Sequence, residues 1–548
     1  MSRARETATP DAGVTPFAAA TQCAVLDRRD VLLLAALTGL TALYLVRTVS
    51  ASGPPMEDAA MLLRYAGHVA RGEGLVWNPG QHPVDGATDL VFTLLVAAGA
   101  RAGSTLEAAA KAIGATAHVL TVVLVYYGVR RFGGGRLAAV ASAAYLAVGP
   151  GRSYVAACFG TPLFALAAGV GWLLTWRLAR RSSDRLAAAF ALWGVLMGMI
   201  RPEGAILAVA FMAAVVFWQG WPASRRSVIV FCAVFGLAGG LYFAWHWSYF
   251  GYPLPNPFYR KGGGRLHWVT LLASVHHVAE LAGPFVVAYL LGLRSSATLR
   301  ALLFAAIPVS IFAAAWVLLS DEADFFMRFQ YPLLPIILTA WPPLVAGLGR
   351  EWRQAIRLKP IERRLAAAAL ALAALAVLFN QHRVYRLPFS NEGLADLALR
   401  LRPYADRHYS MATTEAGLLP FYSGWRAIDT WGLNDAWIAH HGAVTAEYLD
   451  RYHPEVVTFH AAYSTLTPPP TSGPWNTMVL TLQRYVLARD YVLAADFGRS
   501  PYDTQFYYVR RNFADSQAIV AAIRTTRYVT WGSSTPAIDF AALARRIR

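Results

Sequence analysis

The sequence predicts a polytopic α-helical membrane protein of about 11 transmembrane helices, with interfacial helices in the first outer loop and a C-terminal extracytoplasmic α/β domain. Three observations predict it. Hydrophobic residues fill 56% of the 548 positions and charged residues only 15%, where soluble domains carry about 25% charged residues. Apolar stretches near the roughly 20 residues that cross a bilayer recur up to residue 381. Arginine and lysine gather in alternate loops between them.

The spans are read at 31–50, 106–128, 136–150, 160–178, 186–200, 204–219, 227–247, 268–293, 301–319, 329–348 and 365–381. With the N-terminus and its Arg28 and Arg29 in the cytoplasm, the even-numbered spans end at five basic clusters. These are Arg130/Arg131/Arg136, Arg177/Arg180/Arg181/Arg185, Arg225/Arg226, Arg294/Arg300 and the run from Arg350 to Arg364. All five fall in cytoplasmic loops, as the positive-inside rule demands. Residues 89–101, DLVFTLLVAAGAR, are apolar, but as a span they would invert everything after them. They are read as an interfacial or re-entrant helix.

A net charge of +17 would also suit nucleic acid. Its placement between spans assigns it to membrane orientation, so no nucleic-acid partner is expected. Three scattered cysteines, Cys23, Cys158 and Cys232, offer neither a disulfide framework nor a zinc site. The chain divides into a cytoplasmic tail (1–30), a transmembrane domain (31–381, first outer loop 51–105) and a small domain (382–548). In the last, strand-like runs EVVTFH (455–460), YVLAADF (491–497) and QFYYVRR (505–511) alternate with helical pattern such as NEGLADLALRLRPYA (391–405).

Chemistry concentrates in the loops of one side. The first outer loop opens on an acidic pair, Glu57–Asp58, in MEDAAMLLRYAGHVARGEGLVWNPG. Wound as a surface helix over 57–71, it places Glu57, Arg64, His68 and Arg71 on one face, a charged stripe toward water. Leu62, Tyr65 and Val69 fall on another, with Asp58. Asp58 reads as a catalytic carboxylate or as an N-cap, and Arg64 as a ligand or as an ion-pair partner of the acidic pair. Trp77 reads as a sugar-stacking ring or an interfacial anchor. In IRPEG, Arg201 and Glu203 form a structural ion pair or face a cavity. Arg260, Lys261 and Arg265 in PNPFYRKGGGR run against the positive-inside trend, which favours a phosphate ligand over a salt bridge to Glu322 or Asp324. Arg328 in DEADFFMRFQ holds phosphate or neutralises its acidic neighbours. Asp429, just before GLND (432–435), and Asp435, its last residue, read as polar contacts or as turn residues.

Five segments carry a resemblance: EDAAMLLRYAGHVARGEGLVWNPGQHPVDGATDL, MIRPEGAIL, YFGYPLPNPFYRKG, FFMRFQYPLLP and MATTEAGLLPFYSGWRAIDTWGLND. In this order they resemble the bacterial arm of the GT-C superfamily of polyprenyl-phosphate-sugar-dependent glycosyltransferases. The likeness is greatest to the mycobacterial terminal β-(1→2) arabinofuranosyltransferase and its relatives. The chain departs at Glu57, where the family usually has aspartate, at Gly160, where relatives often carry glutamate, and at Ala87, where an aromatic residue is usual.

The resemblance implies a GT-C-like fold in the bacterial plasma membrane. It also implies an inverting transfer of a sugar, arabinofuranose being the leading choice, from a polyprenyl-phosphate donor to a glycan or glycolipid acceptor on the outer face. Asp58 or Glu57 is then the general base. Arg201, Arg260, Lys261 and Arg328 bind donor phosphate, and Arg64, His68, Trp77, Asn78, Asn256 and Tyr259 touch substrate. The second carboxylate is left to orient the acceptor or to bind a divalent cation, Mg or Mn, although no dedicated ligand cluster is legible. A transporter or a non-catalytic glycan-binding assembly protein is the alternative. Span centres nearly free of charge, and the lack of an internal repeat, weigh against transport.

Overall fold

The computed structural model describes residues 26–527, apart from 321, 323, 346–347, 349–358, 386–392, 465–466 and 471. Cys23, most of the N-terminal tail, the end of the chain from 528 and the basic residues Arg350, Arg353 and Arg357 lie outside the described residues.

The apolar half of the chain is helical: α1 (Arg28–Thr48), α2 (Glu57–Ala70), α3 (Leu90–Arg101), α4 (Leu106–Arg131), α5 (Arg136–Val148), α6 (Thr161–Arg180), α7 (Asp184–Ile200), α8 (Glu203–Gln219), α9 (Trp221–Phe250), α10 (Asn256–Lys261), α11 (Trp268–Ala282), α12 (Ser296–Ala315), α13 (Leu334–Ala340) and α14 (Pro360–Val384). Among the described residues, seven stretches are long and apolar enough to cross a membrane: α1, α4, α6, α9, α11 with its continuation to Arg294, α12 and α14. The other expected spans are shorter or broken. α5 has 13 residues, and α7 and α8 have 17 each. The stretch 329–348 splits into 3-10 turns on either side of α13, because Pro332, Pro335, Pro342 and Pro343 cannot donate to a continuous helical ladder. α3, at 12 residues, is about 18 Å long. It is too short for the roughly 30 Å hydrocarbon core, as expected for residues 89–101.

Paired charges and close backbone approach hold the bundle. Asp27 caps α1, and Asp30 completes a capping box there. Asp30 is fully buried and takes hydrogen bonds from Tyr126 (2.7 Å) and Arg130 (3.0 Å), which ties α1 to α4. Trp172 of α6 packs between Phe132, Phe211 and Phe304. At the α7–α8 joint, a Cβ on Gly204 would fall 2.2 Å from the Met197 carbonyl oxygen. Only glycine permits this crossing, as at other tight membrane-helix contacts.

Beyond α14 come α15 (Leu394–Leu401), β1 (Ser410–Thr413), α16 (Leu418–Ser423), β2 (Arg426–Asp429), α17 (Ala436–His441), β3 (Val456–Ala461), α18 (Pro474–Leu487), β4 (Tyr491–Ser500), β5 (Asp503–Arg510) and α19 (Ser516–Arg524). The strands form one sheet in the order β2-β1-β3-β5-β4. β1 runs parallel to β2 and β3, while β5 is antiparallel to β3 and β4. β3, β4 and β5 lie on the three strand-like runs of the sequence. β1 and β2, of four residues each, are too short to show a periodicity. At the carboxyl ends of β1 and β3, His460 bridges Asp503 (2.5 Å) and Glu415 (3.3 Å).

The sheet unit sits on α2, and this corrects the reading of 57–71 as a water-facing stripe. Arg64 and His68 are buried, because the later chain covers that face. Arg64 donates to the carbonyls of Trp77 (3.0 Å), Pro420 (2.6 Å) and Trp425 (2.9 Å) and to Asn78 Oδ1 (3.0 Å). Trp77 Nε1 donates to the Ala427 carbonyl, and Asn78 pairs with both the N–H and the C=O of Ala427.

Two outcomes follow. Arg64→Met, which removes a buried cation and strands four acceptors, lowers stability by roughly 3–5 kcal/mol. Limited proteolysis then releases the sheet unit, and Arg64→Lys rescues little because an ammonium lacks the planar fork. The second concerns pH. Burial alone would push His460 down, but Asp503 and Glu415 hold it up, at about 10. Its charge therefore stabilises the fold fully below its ordinary value near 6.5, and that contribution is lost as pH rises through 10. Thermal scans across that window show a decline in wild type that is flattened in His460→Gln.

Candidate active site

A cavity of about 360 Å³ opens where the helical bundle meets the sheet unit. Its charged lining is Asp58, Asp89, Arg201, Glu203, Lys261 and Arg328, three carboxylates against three cations. Phe159, Trp316 and Phe329 supply much of the apolar wall, and Leu433 reaches in from the sheet unit.

The start of α2 separates the acidic pair. Asp58 lines the cavity and accepts from Arg328 Nη2 at 2.7 Å. Glu57 turns away and accepts from the backbone N–H groups of Gly417 (2.5 Å) and Leu418 (3.0 Å), at the N-terminus of α16. Unsatisfied N–H groups there suit a carboxylate. A Cβ on Gly417 would fall 1.9 Å from the Glu57 carbonyl oxygen, so the approach requires glycine. Burial, and Glu415 close by, push the Glu57 carboxyl up to about 8 against the pull of the two N–H donors. The N-cap reading of Asp58 does not apply: Met56 is the N-cap, and no side chain caps α2.

Arg201 ends α7 and Glu203 opens α8, so the turn at Pro202 aims both into the cavity. Arg201 bridges Asp89 (3.1 Å) and Glu203 (2.9 Å). It is thus both ion pair and cavity wall. Asp89 stands at the N-cap position of α3 but makes no cap bond. Its side chain points to Arg201 instead, and burial pushes its carboxyl up while Arg201 pulls it down. A Cβ on Gly160 would lie 2.5 Å from Asp89 Oδ2. The missing side chain at 160 is the space that Asp89 uses. Sequence reasoning passed over Asp89 because an aspartate before an apolar helix reads as a cap. An acidic residue beside a span that also contains a bare glycine partner leaves no one-dimensional signal.

Arg328 follows Phe326 (φ 48°) and Met327 (φ 60°), two residues in the left-handed region, a conformation that costs L-residues roughly 1–2 kcal/mol each. This strained turn delivers the guanidinium into the cavity over the Phe159 ring (4.2 Å). Its buried Nε has no hydrogen-bond partner. Lys261, at the end of α10, donates to the Glu322 carbonyl (3.0 Å). Among the described residues no carboxylate lies within 4 Å of its ammonium, and burial pushes its pKa down. The alternative salt bridge from the 260–265 loop to Glu322 or Asp324 is not formed at Lys261.

The remaining expected substrate contacts lie elsewhere. Arg260 stacks on Trp431 (3.6 Å) and donates to the Gly442 carbonyl (2.6 Å). Tyr259 packs on His440. Asn256 is buried, its N–H bonded to the Asp85 carbonyl. Arg64, Trp77 and Asn78 are spent on docking the sheet unit. His68 bonds the Val76 carbonyl through Nδ1, and burial, with Arg64 near, holds its pKa down at about 4, so it is neutral at pH 7. Asp429 accepts from the backbone of Trp431, Gly432 and Asn434, and Asp435 caps α17.

The donor set does not suit Mg or Mn. Each cavity carboxylate is already engaged by an arginine, and the described residues contain no group of three His, Cys, Asp or Glu side chains placed to hold a metal.

The folded chain belongs to a class of polytopic membrane proteins. Its structure is similar to that of ArnT from Cupriavidus metallidurans bound to undecaprenyl phosphate, at a TM-score of 0.53 and 12% identity, over 87% of this chain and 97% of that one. The apo state of the same ArnT matches at 0.51 and 13%, again over 87% and 97%. The particular fold is therefore GT-C, as the sequence segments implied. The arabinofuranosyltransferase AftD from Mycobacteria matches at 0.47 and 18%, over 90% of this chain and 40% of that one. Residues 382–509 match a domain of unknown function, DUF8728. No curated protein sequence matches the chain.

If Gly160 and Asp89 share one space, Gly160→Ala destabilises by about 1–3 kcal/mol through overpacking. In a double-mutant cycle, Asp89→Ser removes most of that cost, so the two substitutions are strongly non-additive in thermal or denaturant unfolding.

Proposed function

We propose that the protein is an inverting membrane glycosyltransferase. It moves a sugar, arabinofuranose being the first candidate, from a polyprenyl-phosphate donor to a hydroxyl of a cell-envelope acceptor at the outer face of the plasma membrane. The observation that carries the reading is Lys261. Its half-buried ammonium has no carboxylate within 4 Å among the described residues, yet it lines one cavity with Asp58 and with Arg328, whose Nε is unpartnered. A partly desolvated cation paired only with a backbone carbonyl favours an anionic ligand. The GT-C fold supports a phosphate lipid as that ligand, since the ArnT match holds undecaprenyl phosphate. The arginine-bearing loops on the opposite side support an outward-facing cavity.

In this mechanism Asp58 accepts the proton of the attacking hydroxyl. The hydroxyl oxygen bonds to the anomeric carbon from the face opposite the phosphate. The bond from that carbon to the phosphate oxygen breaks, its electron pair leaves with polyprenyl phosphate, and the centre inverts. Charge balance couples the steps. The cavity's three carboxylates and three cations cancel. When Asp58 takes a proton, its hold on Arg328 weakens as the departing phosphate gains negative charge. Arg328 and Lys261 then stabilise the leaving group in a site of low dielectric. Glu57, bound to α16, keeps the sheet unit in place over the cavity.

Purified protein reconstituted with radiolabelled polyprenyl-phosphate sugars and glycan acceptors tests this by release of lipid phosphate. Asp58→Asn lowers kcat by about 10²–10⁴, and Lys261→Met raises KM and lowers kcat. Glu57→Gln lowers stability more than turnover. Unchanged turnover in Asp58→Asn refutes the base assignment, and a wild type that consumes no donor in a full sugar panel refutes the activity.

A further inference from the structure

A second cavity, of about 440 Å³, lies beside the first. The two share Thr88, Pro202, Leu254 and Pro255 as a common rim. This one is a groove along α9, lined from Phe235 to Phe250, a length of roughly 22 Å at 1.5 Å per residue. That is about one leaflet of a 30 Å hydrocarbon core plus its interface. Its floor is made of glycines: a Cβ on Gly236 or Gly240 would meet nothing within 4 Å.

Two features set its chemistry. Among its lining residues there is no lysine or arginine, in contrast to the donor cavity with three cations. At its upper end stands a carboxylate, Asp85, bonded through Oδ2 to His246 Nε2 at 2.8 Å. Asp85 Oδ1 makes no hydrogen bond within the described residues, and both side chains are nine-tenths buried or close to it. His246 serves one carboxylate oxygen only, and the other, in an apolar groove, is costly to leave without a donor. An isoprenoid chain offers no donor, and a lipid phosphate would be repelled. A sugar hydroxyl on a lipid anchor satisfies both the carboxylate and the groove.

We propose that this groove binds an outer-leaflet glycolipid with an uncharged sugar headgroup, its chain along the α9 glycines and a hydroxyl on Asp85. Under the glycosyltransferase reading, on which this role rests, that lipid is the acceptor, delivered across the shared rim to Asp58. The acceptor class is then a membrane glycolipid and not a soluble glycan.

Equilibrium binding of fluorescent diglucosyl diacylglycerol and, separately, of fluorescent decaprenyl phosphate to the full chain in detergent micelles tests the assignment. Gly240→Leu fills open space and leaves the fold intact. It and Asp85→Asn should each weaken glycolipid binding about tenfold or more, near 1.4 kcal/mol, with decaprenyl phosphate unchanged. Lys261→Met should do the reverse. Loss of decaprenyl phosphate binding in Gly240→Leu would make the groove the donor's chain site and overturn the proposal, as would glycolipid binding unchanged in both groove variants. A Lys261→Met variant that binds decaprenyl phosphate normally would refute the donor site alone, since the glycolipid arm is read independently of it.

Discussion

Successive residues of an α-helix leave its axis about 100° apart, and the rest of this structure hangs on that angle at the start of α2. Glu57 leaves toward the sheet unit and grips the N-terminus of α16. Asp58 leaves toward the bundle and meets Arg328. One turn of helix thus joins the two halves of the chain and floors the space between them. The arrangement needs Gly417, because any side chain there would collide with the α2 backbone. It also needs Arg64 two turns on, which fastens the same face of α2 to carbonyls of the sheet unit.

The cavity that results is a problem in solvation before it is a problem in catalysis. Six ionisable side chains meet at the edge of an apolar bundle, where unpaired charge is expensive. Five are absorbed by short ion pairs, Arg201 with Asp89 and Glu203, and Asp58 with Arg328. Lys261 is left with a backbone carbonyl. Among the described residues Lys261 is the cavity cation with no carboxylate within 4 Å, although the six charges balance in number. Two left-handed residues before Arg328 are consistent with a turn held in an unfavourable conformation by its surroundings, the kind of strain that clusters at functional sites.

How much of this was legible in the sequence follows from the range of each interaction. Span positions were legible because hydropathy is a local sum. The short and broken helices were less so, since proline effects and helix length are set residue by residue. Arg201 and Glu203 sit two apart, and both of their possible roles could be read from IRPEG. Arg64, Trp77 and Asn78 were singled out as substrate contacts, but their partners Pro420, Trp425 and Ala427 lie some 350 residues away, and backbone carbonyls carry no signature in sequence. Asp89 was hidden by its own position, since the start of α3 accounts for an aspartate without any cavity. The divergence of Glu57 and Asp58 was legible as geometry, but which of them faces the cavity was not.

The segment from Asp85 to Asp89 shows why chemistry gathers at this seam. It is short and extended, so alternate residues face opposite ways. Asp85 and Ala87 line the groove, Gly86 and Asp89 line the cavity, and Thr88 touches both. Gly86 admits the carboxamide of Asn434 to within the space a side chain would take, which brings the sheet unit down onto this same partition. A wall one residue thick therefore separates a chamber lined by three cations and three carboxylates from one with no lysine or arginine and a single carboxylate, Asp85. A ligand in one and a ligand in the other would meet at the rim the two share, Thr88, Pro202, Leu254 and Pro255.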